Sequence, residues 1–306
     1  MSYAAAQRVI VRMLYDAAFR QAVYDAPHAA LAGIDLTAAE RDALVKPDPR
    51  AFGTDPFRRS RSLQGLLEEY PVSAWLAGQA LGDIRLLDRF FSSPFFHDCI
   101  QNRGSLALAF GEFLDRGSRA GEIRDNRVAW TAAVEGAIAA LRRRGLEPAT
   151  LASAEPDASL TAAAMAPETD LALSKRHAIL TVAGGTGELV QQVRAHLGSS
   201  GLDLVATLLA ADSADFTGVL TQLQVDEAET LLLERAHDPA GDVTLENAHS
   251  GLAALLAQAM RGTTAQALWE EAGHHGATPE EAREIVADLV LDGLLVPATA
   301  MEAEGA

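Results

Sequence analysis

A single cysteine, Cys99, excludes an internal disulfide and with it the small stapled folds of secreted proteins. No stretch approaches the roughly 18 consecutive apolar residues that a membrane helix needs. The opening MSYAAAQRVIVRML has neither a basic segment before an apolar core nor a cleavage site, so a cytoplasmic location is expected. The motifs HExxH, CxxC and GxSxG do not occur, which removes the commonest signatures of zinc hydrolysis, thiol redox chemistry and serine acyl transfer. Lysine accounts for only two of the 25 basic residues, a bias we read as compositional rather than functional.

What is present describes a globular chain. At 306 residues, 49% hydrophobic and 22% charged, the sequence can bury two or three cores, and wholesale disorder is excluded. The net charge of −17 is unevenly placed. Residues 1–150 hold 18 acidic and 19 basic residues, whereas 220–306 hold 16 acidic and three basic, Arg235, Arg261 and Arg283. The acidity therefore belongs to the C-terminal part, which implies a separate domain with its own partner.

The first 146 residues carry helical periodicity. Val9, Met13, Ala17 and Val23 recur near one face of 4–26, and Thr37 with Glu40 forms a capping-box start. Pro71 should split the long pattern that begins at Asp55-Pro56. Phe90, Phe91, Phe95 and Phe96 are expected in the core, Asn126 can cap the last helix, and Arg142, Arg143 and Arg144 complement that helix's C-terminal dipole. Residues 147–170, rich in Ala, Pro, Ser and Thr without a period, read as a linker.

From 171 onward the period changes. LALSKRHAILTV reads as a strand, Gly184 to Gly187 as a turn, and Glu188 to Leu197 as a helix; Leu202 to Leu209 is expected to be another helix. Thr230 to Leu233 and Val243 to Leu245, separated by Asp238-Pro239-Ala240-Gly241, predict a hairpin. Three short helices follow, the third opening with Thr278 as N-cap, Pro279 at the first turn and Glu281 closing a capping box. The fold class is thus α+β: an all-α domain over 1–146, a linker over 147–170, and a winged-helix-like domain over 171–306.

A winged-helix-like unit either reads DNA with its last helix or offers a hairpin edge to a peptide strand. DNA binding depends on Lys and Arg displacing counterions, and the third helix, TPEEAREIVADLVLDGLL, has one Arg and five acidic residues. Strand addition is the expectation. The peptide would lie along Val243, Thr244, Leu245 and Glu246, with Ile285 and Leu289 of the third helix packing on its apolar side chains. Arg58, Arg59 and Arg61 form a basic cluster that can dock an acidic partner protein, against the plainer reading of a solvated helix face balanced by Glu68 and Glu69.

The remaining constellations carry less. Gly184-Gly185-Thr186-Gly187 lies between strand and helix but lacks the Gly-Lys-Ser/Thr of a phosphate loop and the third Gly of a dinucleotide fingerprint, leaving a tight turn. His97-Asp98-Cys99 are adjacent on a helix and point apart, and the other histidines are scattered, so no metal is expected in this chain.

Two resemblances add to this reading. ALAGIDLTAAERDAL (30–44) resembles the small helical module of a ring-opening dioxygenase subunit. More extensively, RSRSLQGLLEEYPVSAWLAG (59–78), FFSSPFFHDCIQNRGSLALAFGEFLDR (90–116) and the terminal hairpin with its helices resemble the partner proteins of multinuclear non-heme iron oxidative enzymes in ribosomal peptide pathways, the methanobactin partner among them. The resemblance implies a non-catalytic adaptor. Its C-terminal element binds the leader of a precursor peptide as a strand beside Asp242 to Asn247 and on the helix Thr278 to Asp292, and the iron resides in the partner enzyme. The alternatives are a winged-helix transcription regulator and the small subunit of a non-heme iron dioxygenase.

Overall fold

The computed structural model describes residues 3–53, 55, 57–144, 166–199, 220, 224–236 and 242–298. It is a mixed α+β structure, mostly helical, with two small antiparallel sheets of three strands each. Its contacts divide the chain into two units, Met1–Gly136 with Val193–Thr217, and Ala137–Gln192 with Gly218–Ala306. The first division falls inside a helix, ahead of residue 146.

The first unit is helical. It runs through α1 (Tyr3–Tyr15), α2 (Ala17–Asp25), the short α3 (Pro27–Ala30), α4 (Ala38–Val45), α5 (Arg58–Glu69), α6 (Pro71–Leu81), α7 (Pro94–Asn102), α8 (Leu106–Arg119) and the start of α9 (Arg127–Arg143), with 3-10 turns at Pro49–Gly53 and Ile84–Ser92. Ala5, Val9 and Met13, spaced by one turn, bury against Phe19, Val23, Leu31, Leu44 and Phe52. The box at Thr37 forms as its spacing predicts, with the Thr37 hydroxyl accepting from Glu40 N and the Glu40 carboxylate accepting from Thr37 N at 2.7 Å. Pro71 divides the long helical pattern into α5 and α6, since it can begin a helix but not continue one. Phe90, Phe91 and Phe96 are fully buried, and Phe90 meets Phe96, Phe110 and Phe113 at ring-centroid distances of 5.3 to 5.7 Å, mostly tilted or edge-on as the ring quadrupoles favour. Phe95 sits at the margin, edge-on to Phe113. At the start of α9 it is the Asp125 carboxylate that accepts from Arg127 N, at 3.0 Å.

The second unit holds both sheets. The segment expected as one strand over 171–182 is two: β1 (Asp170–Leu173) and β2 (His177–Gly184), belonging to different sheets. The break lies at Ser174 to Arg176, where Ser174 N donates to Leu294 O and the buried Arg176 guanidinium donates to Arg235 O at 2.8 Å and to Glu234 Oε1 at 3.2 Å. The sheet order β2–β3–β4 places β3 (Gln224–Arg235) between β2 and β4 (Val243–Ala248). The connecting turn Asp238 to Gly241, the expected helix Leu202 to Leu209 and most of the 147–170 linker lie outside the described residues. The second sheet, β5 (Thr263–Thr264), β1 and β6 (Leu295–Pro297), joins segments more than 90 residues apart.

Among the described residues the helices α10 (Thr186–Ser199, counted with this unit up to Gln192), α11 (Ser250–Ala259), α12 (Ala265–His274) and α13 (Pro279–Leu291) follow. Leu171, Leu255, Leu256, Leu268, Val286, Leu289 and Leu295 form one buried core among β1, α11 to α13 and β6. The predicted capping box of α13 is present, Thr278 N donating to Glu281 Oε2 at 2.8 Å.

The arginines at the end of α9 do more than face its dipole. Arg142 pairs with Asp242, and Arg144 donates to the carbonyls of Lys175 and His177, both at 3.1 Å. Arg235 of β3 donates in return to Leu141 O at 3.1 Å and Arg144 O at 2.8 Å, so a cation from the sheet satisfies the helix's last carbonyls.

Candidate functional site

Antiparallel pairing alternates residues that bond their neighbour strand with residues that turn their backbone groups away from it. Ala236 N donates to Asp242 O, which sets the parity of the β3–β4 ladder. Thr244, Glu246 and Ala248 therefore bond β3, and Val243, Leu245 and Asn247 direct their N–H and C=O groups to the open side. The Thr244 hydroxyl adds a 3.4 Å contact to Glu234 O, its partner in register.

Among the described residues β4 is an edge strand, and two of its outward groups are engaged. Val243 N donates to Asp242 Oδ1 at 2.8 Å, and Leu245 O accepts from Gln191 Nε2 of α10 at 2.7 Å. The outward N–H groups of Leu245 and Asn247 and the carbonyls of Val243 and Asn247 have no partner among the described residues. An incoming extended chain would meet these groups first.

Side chains alternate across the same strand. Leu245 and Leu231 face α10, where a Cβ on Gly187 would lie 3.2 Å from Leu245 Cδ2 and 2.8 Å from Leu231 Cδ2. Glycine at 187 is what allows helix and sheet to approach so closely. Thr244 and Glu246 project from the opposite face and are exposed. Leu232, in register with Glu246, packs from that face against the core of α11 to α13.

On α13, Ala282, Val286 and Leu289 are the buried stripe, and Leu289 belongs to the core. Ile285 lies one residue off that stripe and is 38% exposed. It lines a hollow of about 290 Å³ with Leu252 and Leu255 of α11, Ala272 of α12, and His249 and His275 at its rim. His249 directly follows β4 and caps α11, its Nδ1 accepting from Leu252 N at 3.3 Å. The structure thus joins Ile285 to the helix that continues from the edge strand, while Leu289 faces inward. Glu280, Glu281, Glu284 and Asp288 of α13 and Asp292 at its C-cap are exposed. Hydrogen bonds from Thr278 hold the Glu281 carboxyl below its usual range.

The glycine-rich turn before α10 has a different occupant from a phosphate. Gly185 takes the left-handed conformation, Thr186 Oγ1 donates to Ala183 O at 2.6 Å, and Gly187 N donates to Glu229 Oε1 at 2.7 Å. The β3 carboxylate occupies the anion position at this helix N-terminus.

The basic cluster is tied into its own unit. Arg59 donates to Asp88 Oδ1 at 2.9 Å, Asp88 O at 2.7 Å and Tyr15 O at 2.9 Å. Arg61 pairs with Asp55, and Arg58 Nε lies 4.0 Å from the same carboxylate. Arg61 alone of the three keeps most of its side chain, 64%, in solvent. Among the described residues no group of three or more His, Cys, Asp or Glu is placed to hold a metal, and no helix is long and apolar enough to cross a membrane. His97 lies 3.5 Å from Asp16 rather than beside a metal-ligand set, and burial raises the Cys99 thiol pKa.

Sequence reasoning missed Gln191, and it placed Asp242 in the strand without its carboxylate's role on Val243 N; among the described residues these two side chains touch the open edge. Neither lies in a motif; their role depends on which β4 groups turn outward. Comparison with protein-family models, curated proteins and solved structures gives no match to the chain.

Proposed function

We propose that the protein is a non-catalytic adaptor that receives an extended peptide along the outer edge of β4. The observation that carries this reading is the run of outward backbone groups at Val243, Leu245 and Asn247 on an edge strand. Strand addition satisfies such groups in pairs, and alternate side chains of the guest supply selectivity. The order α11, β5, α12, α13, β6, with β1 completing the small sheet, supports a winged-helix-like element in which the three helices form the floor beside the hairpin. The exposed carboxylates of α13 favour a guest carrying basic residues and disfavour duplex DNA.

In this reading the guest is the leader of a ribosomally made precursor peptide, and the first unit docks the multinuclear non-heme iron enzyme that oxidises the core of that peptide. Holding leader and enzyme on one chain raises the local concentration of the core at the iron site, up to the millimolar range for short linkers. Iron resides in the partner.

The test first reads the neighbouring genes for a multinuclear non-heme iron enzyme and a short precursor peptide, and then titrates the full chain with that enzyme and with the fluorescein-labelled N-terminal half of that peptide; absence of both genes counts against the reading. Saturable anisotropy with the peptide and co-elution with the enzyme are expected. A tightly held stoichiometric iron or zinc in the isolated chain, or no peptide binding at micromolar protein, would overturn the adaptor reading.

A further inference from the structure

A second concavity lies within the first unit, outside everything assigned above. It encloses about 190 Å³ between α1, α2, α7 and the loop ahead of α4. Arg8 and Arg12, one turn apart on α1, both line it. Like charges at that spacing repel. Arg8 makes one hydrogen bond, to Gln101 O at 3.2 Å. Arg12 lies with its guanidinium carbon 3.8 Å from the centre of the Phe19 ring, and its Nε is closed off from solvent without a hydrogen-bond partner. Its nearest carboxylate oxygen, Asp16 Oδ2, is 3.8 Å away.

Asp16 has other commitments. Its Oδ1 accepts from Phe19 N at 3.0 Å as the cap of α2, and its Oδ2 lies 3.5 Å from His97 Nε2. The loop that closes the pocket is fixed from behind by Arg41, which donates to Leu31 O and Ile34 O, both at 2.8 Å. The pocket is therefore held in place, and it presents a half-buried guanidinium that makes no hydrogen bond with any described residue. Burial lowers the pKa of Arg12 without bringing it near neutrality in function, because a guanidinium stays charged in proteins.

We propose that this pocket binds a small organic monocarboxylate, its head group held by Arg8 and Arg12 and its apolar body against Phe19 and Ile34. A planar two-oxygen head group matches the guanidinium fork. Asp35 on the lining disfavours a dianion such as phosphate. An apolar cavity of about 150 Å³ accommodates benzene, so the volume here suits a ligand of benzoate size.

Benzoate is the probe, with benzamide as its neutral isostere and inorganic phosphate as the competing anion, each titrated against the full chain by calorimetry and thermal melting. Saturable binding of benzoate, no effect of benzamide, and a tenfold or greater loss of affinity in Arg8→Gln and in Arg12→Gln are expected. Arg12→Lys keeps the charge but not the fork and should lose most of the affinity as well. If Arg12→Gln does not fold, Arg8→Gln decides, since that residue has only one internal hydrogen bond. Equal effects of benzoate and benzamide, unchanged benzoate affinity in Arg8→Gln, or stabilisation by phosphate with none by benzoate would each overturn the proposal.

Discussion

The Gln191 side chain donates to the Leu245 carbonyl at 2.7 Å, placing a side-chain amide where the backbone of an added strand would pair. A guest strand that pairs with Leu245 O must displace it. Gln191 is exposed, so its removal leaves the carbonyl to water at small cost to stability. Gln191→Ala is expected to leave the melting temperature nearly unchanged and to tighten leader binding about two- to tenfold, the equivalent of one ordinary hydrogen bond. Weaker binding in the anisotropy titration would mean that Gln191 contacts the peptide rather than competing with it.

Proline separates the two sides of β4. Thr244 N faces β3, so Thr244→Pro removes a ladder bond and should destabilise the chain by about 1 kcal/mol or more. Asn247 N faces outward and its side chain is exposed, so Asn247→Pro should melt close to wild type yet lose most leader affinity. Normal leader binding by a folded Asn247→Pro variant would place the peptide elsewhere.

The basic cluster divides by partner. Arg59 bridges Tyr15 and Asp88 through three hydrogen bonds, and Arg59→Ala should cost about 1 to 3 kcal/mol by thermal or urea unfolding. Arg61 is mostly in solvent, so Arg61→Glu should cost under about 1 kcal/mol. Any role in docking the iron enzyme is best read from Arg61→Glu, whose loss of enzyme binding cannot be attributed to unfolding. Unchanged co-elution of Arg61→Glu would remove that residue from the docking surface.

Features decided within a turn or two were legible in the sequence: the boxes at Thr37 and Thr278 span three residues, and Pro71 divides its helix by its own ring. The hairpin was legible because alternation is also local. The split of 171–182 was passed over although the polar Ser174-Lys175-Arg176-His177 interrupt the apolar residues there, because a polar stretch does not say that the flanking strands join different sheets; the break is fixed by Arg176, whose partners lie 58 and 59 residues away. Arg142, Arg143 and Arg144 were read as complementing their own helix; Arg143 does donate to Ala139 O, while the carbonyls of Leu141 and Arg144 accept from Arg235, a partner from the sheet that no local pattern shows. Ile285 and Leu289 share a face by spacing alone; which of them is exposed depends on how α13 is rotated against α11 and α12, and that is set by packing.

A last prediction concerns a carboxylate that sequence reasoning passed over. Glu135 of α9 is wholly buried and caps α6 from another helix: Oε1 accepts from Val72 N at 3.0 Å, and Oε2 accepts from Ser73 N at 2.9 Å and Ser73 Oγ at 2.6 Å. Tyr70, the residue at the cap position, makes no side-chain cap hydrogen bond, and Glu135 fills that role. Burial raises its pKa above the unfolded value, outweighing the opposing effects of Arg194 and the Ser73 and Val72 hydrogen bonds. With the folded pKa raised, the folded state binds the proton more tightly. The associated stability is fully present below the unfolded carboxyl pKa, and it is lost as pH rises through the folded one. Glu135→Gln cannot titrate, and it retains one acceptor oxygen, much as the protonated acid does. Melting temperatures of wild type and Glu135→Gln, taken in parallel from pH 8 down to pH 5, should therefore show wild type gaining on the variant as pH falls. Wild type losing ground over that range would mean that the Arg194 charge and the helix N-terminus keep Glu135 ionised despite its burial.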